Sequence, residues 1–189
     1  MNPMIERLNA PIPKIMRTLR KDARGYPVPY IVMIDKSGLP QFTINDGVLV
    51  RECIRKKLCS ICGKKLSALW FVGGSRSFLH ERGAFLDPPL HLECAEYALV
   101  ICPFLATRSF THSINDAKLD RKNLPDNLAL VVPEFSGPIL PERFGLGLTP
   151  SYEVYSDRGN LSFHPAPWQY LEFWKNGKPC QAPDTGEGR

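Results

Sequence analysis

Long apolar runs are missing from this 189-residue chain. The longest, "YALVICPFLA" at 97–106, is about half the length that a bilayer-spanning helix needs. The first residues, "MNPMIERLNAPIPK", carry Glu6, Arg7 and prolines where a signal peptide would carry an apolar core. Both absences predict a cytoplasmic protein without membrane contact. Histidine is scarce, with only four copies: His80, His91, His112 and His164. No internal repeat or long low-complexity tract occurs. "VGGS" at 72–75 lacks the Gly-Lys-Ser ending of a phosphate loop, and no small-molecule site is evident.

Proline, by contrast, is abundant at 18 residues, which argues against long helices and for turns and edge strands. Hydrophobic residues at 43% and charged residues at 23% are the proportions of a globular domain with a core. Charge is unevenly spread. Positions 1–82 hold 15 Lys and Arg against 6 Asp and Glu, a net +9, whereas 83–189 hold 9 against 13, a net −4. The basic half points to nucleic acid or an acidic protein as partner.

Six cysteines remain to be explained: Cys53, Cys59, Cys62, Cys94, Cys102 and Cys180. In a reducing compartment a C-x-x-C pair points to metal or redox chemistry rather than to a disulfide. "LCSICGKKL" at 58–66 has the form of a zinc knuckle, and Gly63 gives the backbone freedom that the sharp turn needs. A structural zinc takes four ligands. The next His/Cys pair is His91 and Cys94 in "PPLHLECAEYA", three apart and so on one face of a helix that Asp87 could cap, with Pro88 in its first turn. Three thiolates and one imidazole suit tetrahedral zinc, and four protein ligands leave no open position, so the ion is expected to be structural. His80 or Cys102 could take the place of His91. The rival for the knuckle is a redox C-x-x-C, which would need a thioredoxin-like strand and helix around it. Cys53 and Cys102 are expected in the core.

Between the two pairs, "ALWFV" and "SFLH" look like strands joined by "GGSR". Knuckle, hairpin and ligand-bearing helix together resemble a treble-clef zinc finger over 57–103. The expected fold is α+β, with small antiparallel hairpins and short helices around that site. It comprises a basic N-terminal segment at 1–24, one domain at 25–177 and a disordered tail at 178–189. Further expectations are a basic helix over 11–25, a hairpin from "YPVPYIVMI" and "PQFTI", and a helix in "NDGVLVRECIRKKL". Later come a strand in "LALVVPEF", a loop in "PILPERFGLGLTP", a hairpin around "DRGN" and a terminal helix in "PAPWQYLEFWKNG".

Three motifs, "RGYPVPYIV", "LCSICGKKL" and "DPPLHLECAEYALVICPFL", are similar to those of a group of uncharacterised bacterial and phage proteins. The resemblance spans roughly 25–105. It implies the zinc site and a phage or mobile-element origin, with an accessory role such as modulating a host defence or nucleic-acid machine. It implies no activity.

For nucleic acid or an acidic protein, the candidate residues are Arg17, Arg20 and Lys21, then Arg51, Arg55, Lys56 and Lys57 before the knuckle, Lys64 and Lys65 after it, and Arg76. No base-reading helix stands out, so contact would be with the phosphate backbone. The enzymatic alternative is an HNH-like metal-dependent nuclease on the treble clef, using His80, Glu81 and Asp87. Cysteine dyads such as Cys102 with His112, or Cys180 with His164, have nothing in the sequence to bring them together.

Overall fold

The computed structural model describes residues 10–81, 83–106, 141–157 and 160–183. They form a mixed α/β fold of short helices and small antiparallel sheets. Near the N-terminus only Lys14–Met16 is helical, a 3₁₀ turn, where a basic helix over 11–25 was expected. Pro11 and Pro13 supply no N–H donors there. Downstream, the Asp22 side chain competes with helix by accepting from the backbone of Arg24 and Tyr26, at 2.9 Å each. Met16 is buried, and Ile12, Ile15 and Leu19 pack beside it.

The first hairpin forms as expected: β1 (Val32–Ile34) pairs with β2 (Pro40–Asn45). Asp35 fixes the turn by accepting from Ser37 and Leu39. The helix α1 (Gly47–Lys56) is also as expected. Asp46 caps it through Val48 and Leu49, its Val50 and Cys53 are buried, and Lys57 stops it in the left-handed region at φ 54°.

Beyond the knuckle the local expectation fails. Strand β3 (Leu69–Gly74) is present, but "SFLH" belongs to a helical turn, α2 (Ser75–Leu79). That turn drops Phe78 among aromatic rings, with centroids 4.7 Å from Trp168 and 4.8 Å from Phe85. Helix α3 (Leu92–Ile101) is capped at His91 rather than Asp87, whose carboxylate instead accepts from Asn45 Nδ2 at 2.6 Å. The break expected at Pro103 is followed by a single turn, α4 (Pro103–Ala106).

The partner of β3 is β4 (Phe144–Thr149), in the segment expected to be a loop. The hairpin around 158–159 forms as expected, from β5 (Tyr152–Asp157) and β6 (Asn160–Pro165). The terminal helix does not. In its place are β7 (Tyr170–Lys175) and β8 (Lys178–Cys180), joined through Asn176 and Gly177 at φ 54° and 74°, as a type I′ turn requires. Pairing therefore continues past Gly177, where the tail was expected to start. The segments "LALVVPEF" and "KLDRKNLPDN", and His112, lie outside the described residues.

One four-stranded antiparallel sheet, in the order β3-β4-β7-β8, separates two cores. Strand alternation assigns the side chains. Trp70, Val72, Phe144, Leu146 and Trp174 face the first core, which contains Cys59, Cys62, Cys94 and Leu99. Phe71, Leu171 and Phe173 face the second, with Phe78, Phe85, Phe163 and Cys53. Gly145 and Gly147 lie under the Phe78 and Trp168 rings. A Cβ at Gly145 would come within 2.4 Å of Phe78, and one at Gly147 within 2.6 Å of Trp168. Glycine in this strand is a matter of space for aromatic rings.

Candidate metal centre

The cysteine cluster is assembled by backbone hydrogen bonds from three directions. The knuckle closes on itself: Cys59 N–H donates to Lys64 O at 2.8 Å, and Gly63 N–H to Cys59 O at 2.9 Å. Gly63 takes φ 70°, and a Cβ there would come within 2.7 Å of the Tyr30 ring. Conformation and space both demand glycine. The stretch before β1 holds the knuckle from outside, with Tyr30 N–H donating to Ile61 O and Ile31 N–H to Ser60 O. The Tyr30 hydroxyl, pushed up to about 12 by burial and by its hydrogen bond to Glu52, locks this stretch to α1 at 2.9 Å. From the third side Leu90 pairs with Trp70 of β3, and Ser60 N–H reaches Pro89 O at 3.2 Å. That pairing carries His91 and the first turn of α3 to the knuckle.

As a result Cys59 Sγ, Cys62 Sγ, Cys94 Sγ and a ring nitrogen of His91 lie within 4.8 Å of one another. In a tetrahedral zinc site with Zn–S of about 2.3 Å, neighbouring sulfurs are about 3.8 Å apart. The donor atoms are thus gathered to the scale of one ion. The three cysteines are buried, and all six cysteines of the chain are free thiols.

His91 is oriented by both ring nitrogens. Nδ1 lies 3.3 Å from Cys62 Sγ, and Nε2 lies 3.1 Å from the carbonyl oxygen of Lys65. A carbonyl only accepts, so Nε2 carries the proton and Nδ1 presents its lone pair to the thiols. Two backbone donors, the N–H groups of Cys62 and His91, each reach Cys59 Sγ at 3.4 Å. Cys59 is held far below the ordinary thiol range by thiol donors from Cys62 and Cys94, assisted by those N–H groups. Cys62 and Cys94 are pushed up, chiefly by their hydrogen bonds to Cys59. A cation at the centre would favour the ionised form of all three sulfurs. Ordinary core cysteines need no imidazole lone pair and no N–H groups aimed at a sulfur. The residues fit a metal ion with a preference for soft ligands, and four protein donors close its coordination shell.

The alternatives for the fourth ligand are not in this group. His80 is exposed at the end of α2, and Cys102 is the C-terminal cap of α3. Cys53 lies in the second core, where burial pushes its thiol up to about 12. Cys180 pairs with Phe173 across β7 and β8 and packs against that core, a role hidden by the expectation of a free tail. Among the described residues, the Cys59–Cys62–His91–Cys94 group is the only set of three or more His, Cys, Asp or Glu side chains placed to hold a metal. His80, Glu81 and Asp87 are not gathered into a second one.

No protein-family model, no curated protein and no solved structure matches this chain. The resemblance to the bacterial and phage group stands on its quoted motifs alone. No described helix is long and apolar enough to cross a membrane.

The basic residues are all exposed. Arg51, Arg55, Lys56 and Lys57 run down α1 to its end. Lys64 and Lys65 follow in the knuckle, tied back to that end by Leu66 N–H donating to Lys57 O and by pairing of Leu58 with Lys65. Lys56 is partly neutralised by an ion pair with Glu52. Arg20 reaches Gly38 O in the first hairpin turn, and Arg17 and Lys21 flank it in sequence. Arg76 stands on α2, which packs through Phe78 against the second core, not against the knuckle.

Proposed function

We propose that this chain is a zinc-stabilised, non-enzymatic binding protein whose basic half grips the phosphate backbone of nucleic acid. Zinc is favoured over other ions because three thiolates and one imidazole form its usual closed structural set. The arrangement is treble-clef-like in its knuckle and its ligand-bearing helix start. It departs from that pattern between them, where β3 pairs with the distant β4 instead of a local second strand. A mobile-element accessory role would agree with the motif resemblance.

The observation that carries the nucleic-acid reading is the continuity of the end of α1 with the knuckle. Arg55, Lys56, Lys57, Lys64 and Lys65 share one hydrogen-bonded unit, clamped to the metal ligands Cys59 and Cys62. A rigid array of cations is what backbone-directed phosphate binding uses. The test is a salt titration of binding to duplex and single-stranded oligonucleotides of unrelated sequence. Affinity is expected to fall steeply with salt and to vary little with sequence. Changing Arg55, Lys56 and Lys57 to Gln together should weaken every complex and lower the salt slope by about two to three. Unchanged binding by this variant, or no binding by the wild type at low salt, overturns the reading. The same face would then serve an acidic protein partner.

A further inference from the structure

Where the basic and acidic halves of the chain meet, there is a feature that the basic face does not explain. On the sheet side that carries the cysteine cluster, an open cleft of about 330 Å³ lies between β3 and the start of α3. Trp70 lines it from the sheet, and Leu92, Glu93 and Glu96 line it from α3, with His91 between. Tyr170 of β7, half exposed, sets its ring edge-on to Trp70 at 5.8 Å. The Tyr170 hydroxyl donates to Glu172 at 2.7 Å, and Trp174 Nε1 donates to the other oxygen of the same carboxylate at 2.6 Å. The hydrogen bond to Glu172 pushes the Tyr170 phenol up, and the Glu96 charge adds to that rise. Trp70, Glu93 and Glu96 therefore share one small space, with the Tyr170 ring set against Trp70 beside it, and the lining contains no lysine or arginine.

Helix α3 gives a reason to look for a missing cation. Glu93 sits in the first turn, where the helix dipole favours a carboxylate. Glu96 is one turn on, on the same face, and like charges at this spacing oppose the helix. The sequence of α3, "LECAEYALVI", contains no basic residue to relieve them. The volume is at the small end of ligand sites, which run from about 300 to 1,000 Å³, so it suits one or two side chains rather than a folded element. Both ring nitrogens of His91 are already committed, to the thiols and to Lys65 O, so the imidazole serves as a wall.

We propose that this cleft is a docking site for an arginine or lysine side chain on an extended basic segment of a partner protein, held by Glu93, Glu96 and the faces of Trp70 and Tyr170. The aromatic rings attract a cation through their negative faces, and the carboxylates accept its N–H groups. Arginine is favoured over lysine because its planar head can stack on a ring while forking to a carboxylate. The site is independent of the phosphate-binding face and holds whether or not that face binds nucleic acid.

The test uses the full zinc-loaded chain, ¹⁵N-labelled, at physiological salt. It is titrated with capped Gly/Ser nonapeptides carrying two arginines, two lysines or two glutamines. The expected result is a saturable shift of the Trp70 indole N–H and the Glu93 and Glu96 amides with the arginine and lysine peptides, and none with the glutamine peptide. The double variant Glu93→Gln/Glu96→Gln should lose about tenfold or more in affinity. Tyr170→Ala, which leaves both carboxylates in place, should also weaken binding. Equal shifts with the glutamine peptide, no shift at millimolar arginine peptide, or wild-type affinity in both variants would overturn the proposal.

Discussion

Cys62 Sγ lies 3.3 Å from His91 Nδ1, while the far nitrogen of the same ring lies 3.1 Å from Lys65 O. The knuckle thus supplies both a fellow ligand and the carbonyl that sets the imidazole tautomer. The account predicts ligation through Nδ1 with the proton on Nε2. In the zinc-loaded protein, ¹⁵N NMR of His91 should show a protonated Nε2 and a metal-bound Nδ1. His91→Cys should retain the ion, whereas His91→Ala should lower metal affinity. Ligation through Nε2 would contradict the tautomer argument.

Metal loss should cost more stability than the fold can spare. Apparent binding energies of structural zinc sites are about 10–16 kcal/mol at pH 7, comparable to the whole stability of a domain at about 5–15 kcal/mol. Chelation should therefore disrupt the first core, where Cys59, Cys62 and Cys94 pack with Leu90, Leu99, Leu146 and Trp174. The pH dependence has a definite sign. A bound metal holds the thiols far below their ordinary pKa of about 8.5, so its stabilisation is present at neutral pH and is lost as the pH falls and protons compete. Zinc release to a chromogenic chelator, followed from pH 7 downward, should rise together with loss of near-ultraviolet circular dichroism.

The glycines of β4 make a prediction independent of metal. Gly145→Ala and Gly147→Ala each place a methyl group less than 3 Å from ring atoms of Phe78 or Trp168. Those rings pack on Phe85, Phe71 and each other and have little room to retreat. Each variant should lose about 1–3 kcal/mol in denaturant melts while keeping its metal content. Unchanged stability would mean that the aromatic layer is looser than its ring distances imply.

Cys180→Leu offers a contrast with the ligand cysteines. Cys180 packs against the second core from β8, away from the cluster. The variant should keep its full metal content, and its added methyl groups at this half-buried site should cost no more than about 1–3 kcal/mol. A loss of metal would place the two cores in closer dependence than the sheet between them allows.

Local signals carried the parts of the fold that they could decide. Asp46 before "GVLVREC" is a cap before an apolar stripe, and the four ligands stand in chain order at recognisable spacings. The failures have physical causes. Trp168, Leu171 and Trp174 mimic a helical stripe, yet in the strand Leu171 and Phe173 face one core while Trp174 faces the other. Gly177, at the end of the expected helix, has the form of a helix stop, yet together with Asn176 it makes the hairpin turn. "FGLGLT" lies in "PILPERFGLGLTP", whose three prolines and two glycines have the composition of a loop, although its own apolar residues alternate. What makes it a strand is the set of rings stacked on Gly145 and Gly147 from distant segments. The pairing of β3 with β4, which joins Leu69 to Thr149 and Gly74 to Phe144 across the chain, leaves no mark in either segment.

The most direct test is native mass spectrometry of the protein expressed with zinc in the medium. The account predicts one zinc per chain in the wild type, and none after Cys59→Ser or Cys94→Ser. Cys53→Ser and Cys102→Ser should carry zinc like the wild type. A metal-free wild type, or zinc kept in Cys94→Ser and lost in Cys102→Ser, would contradict it.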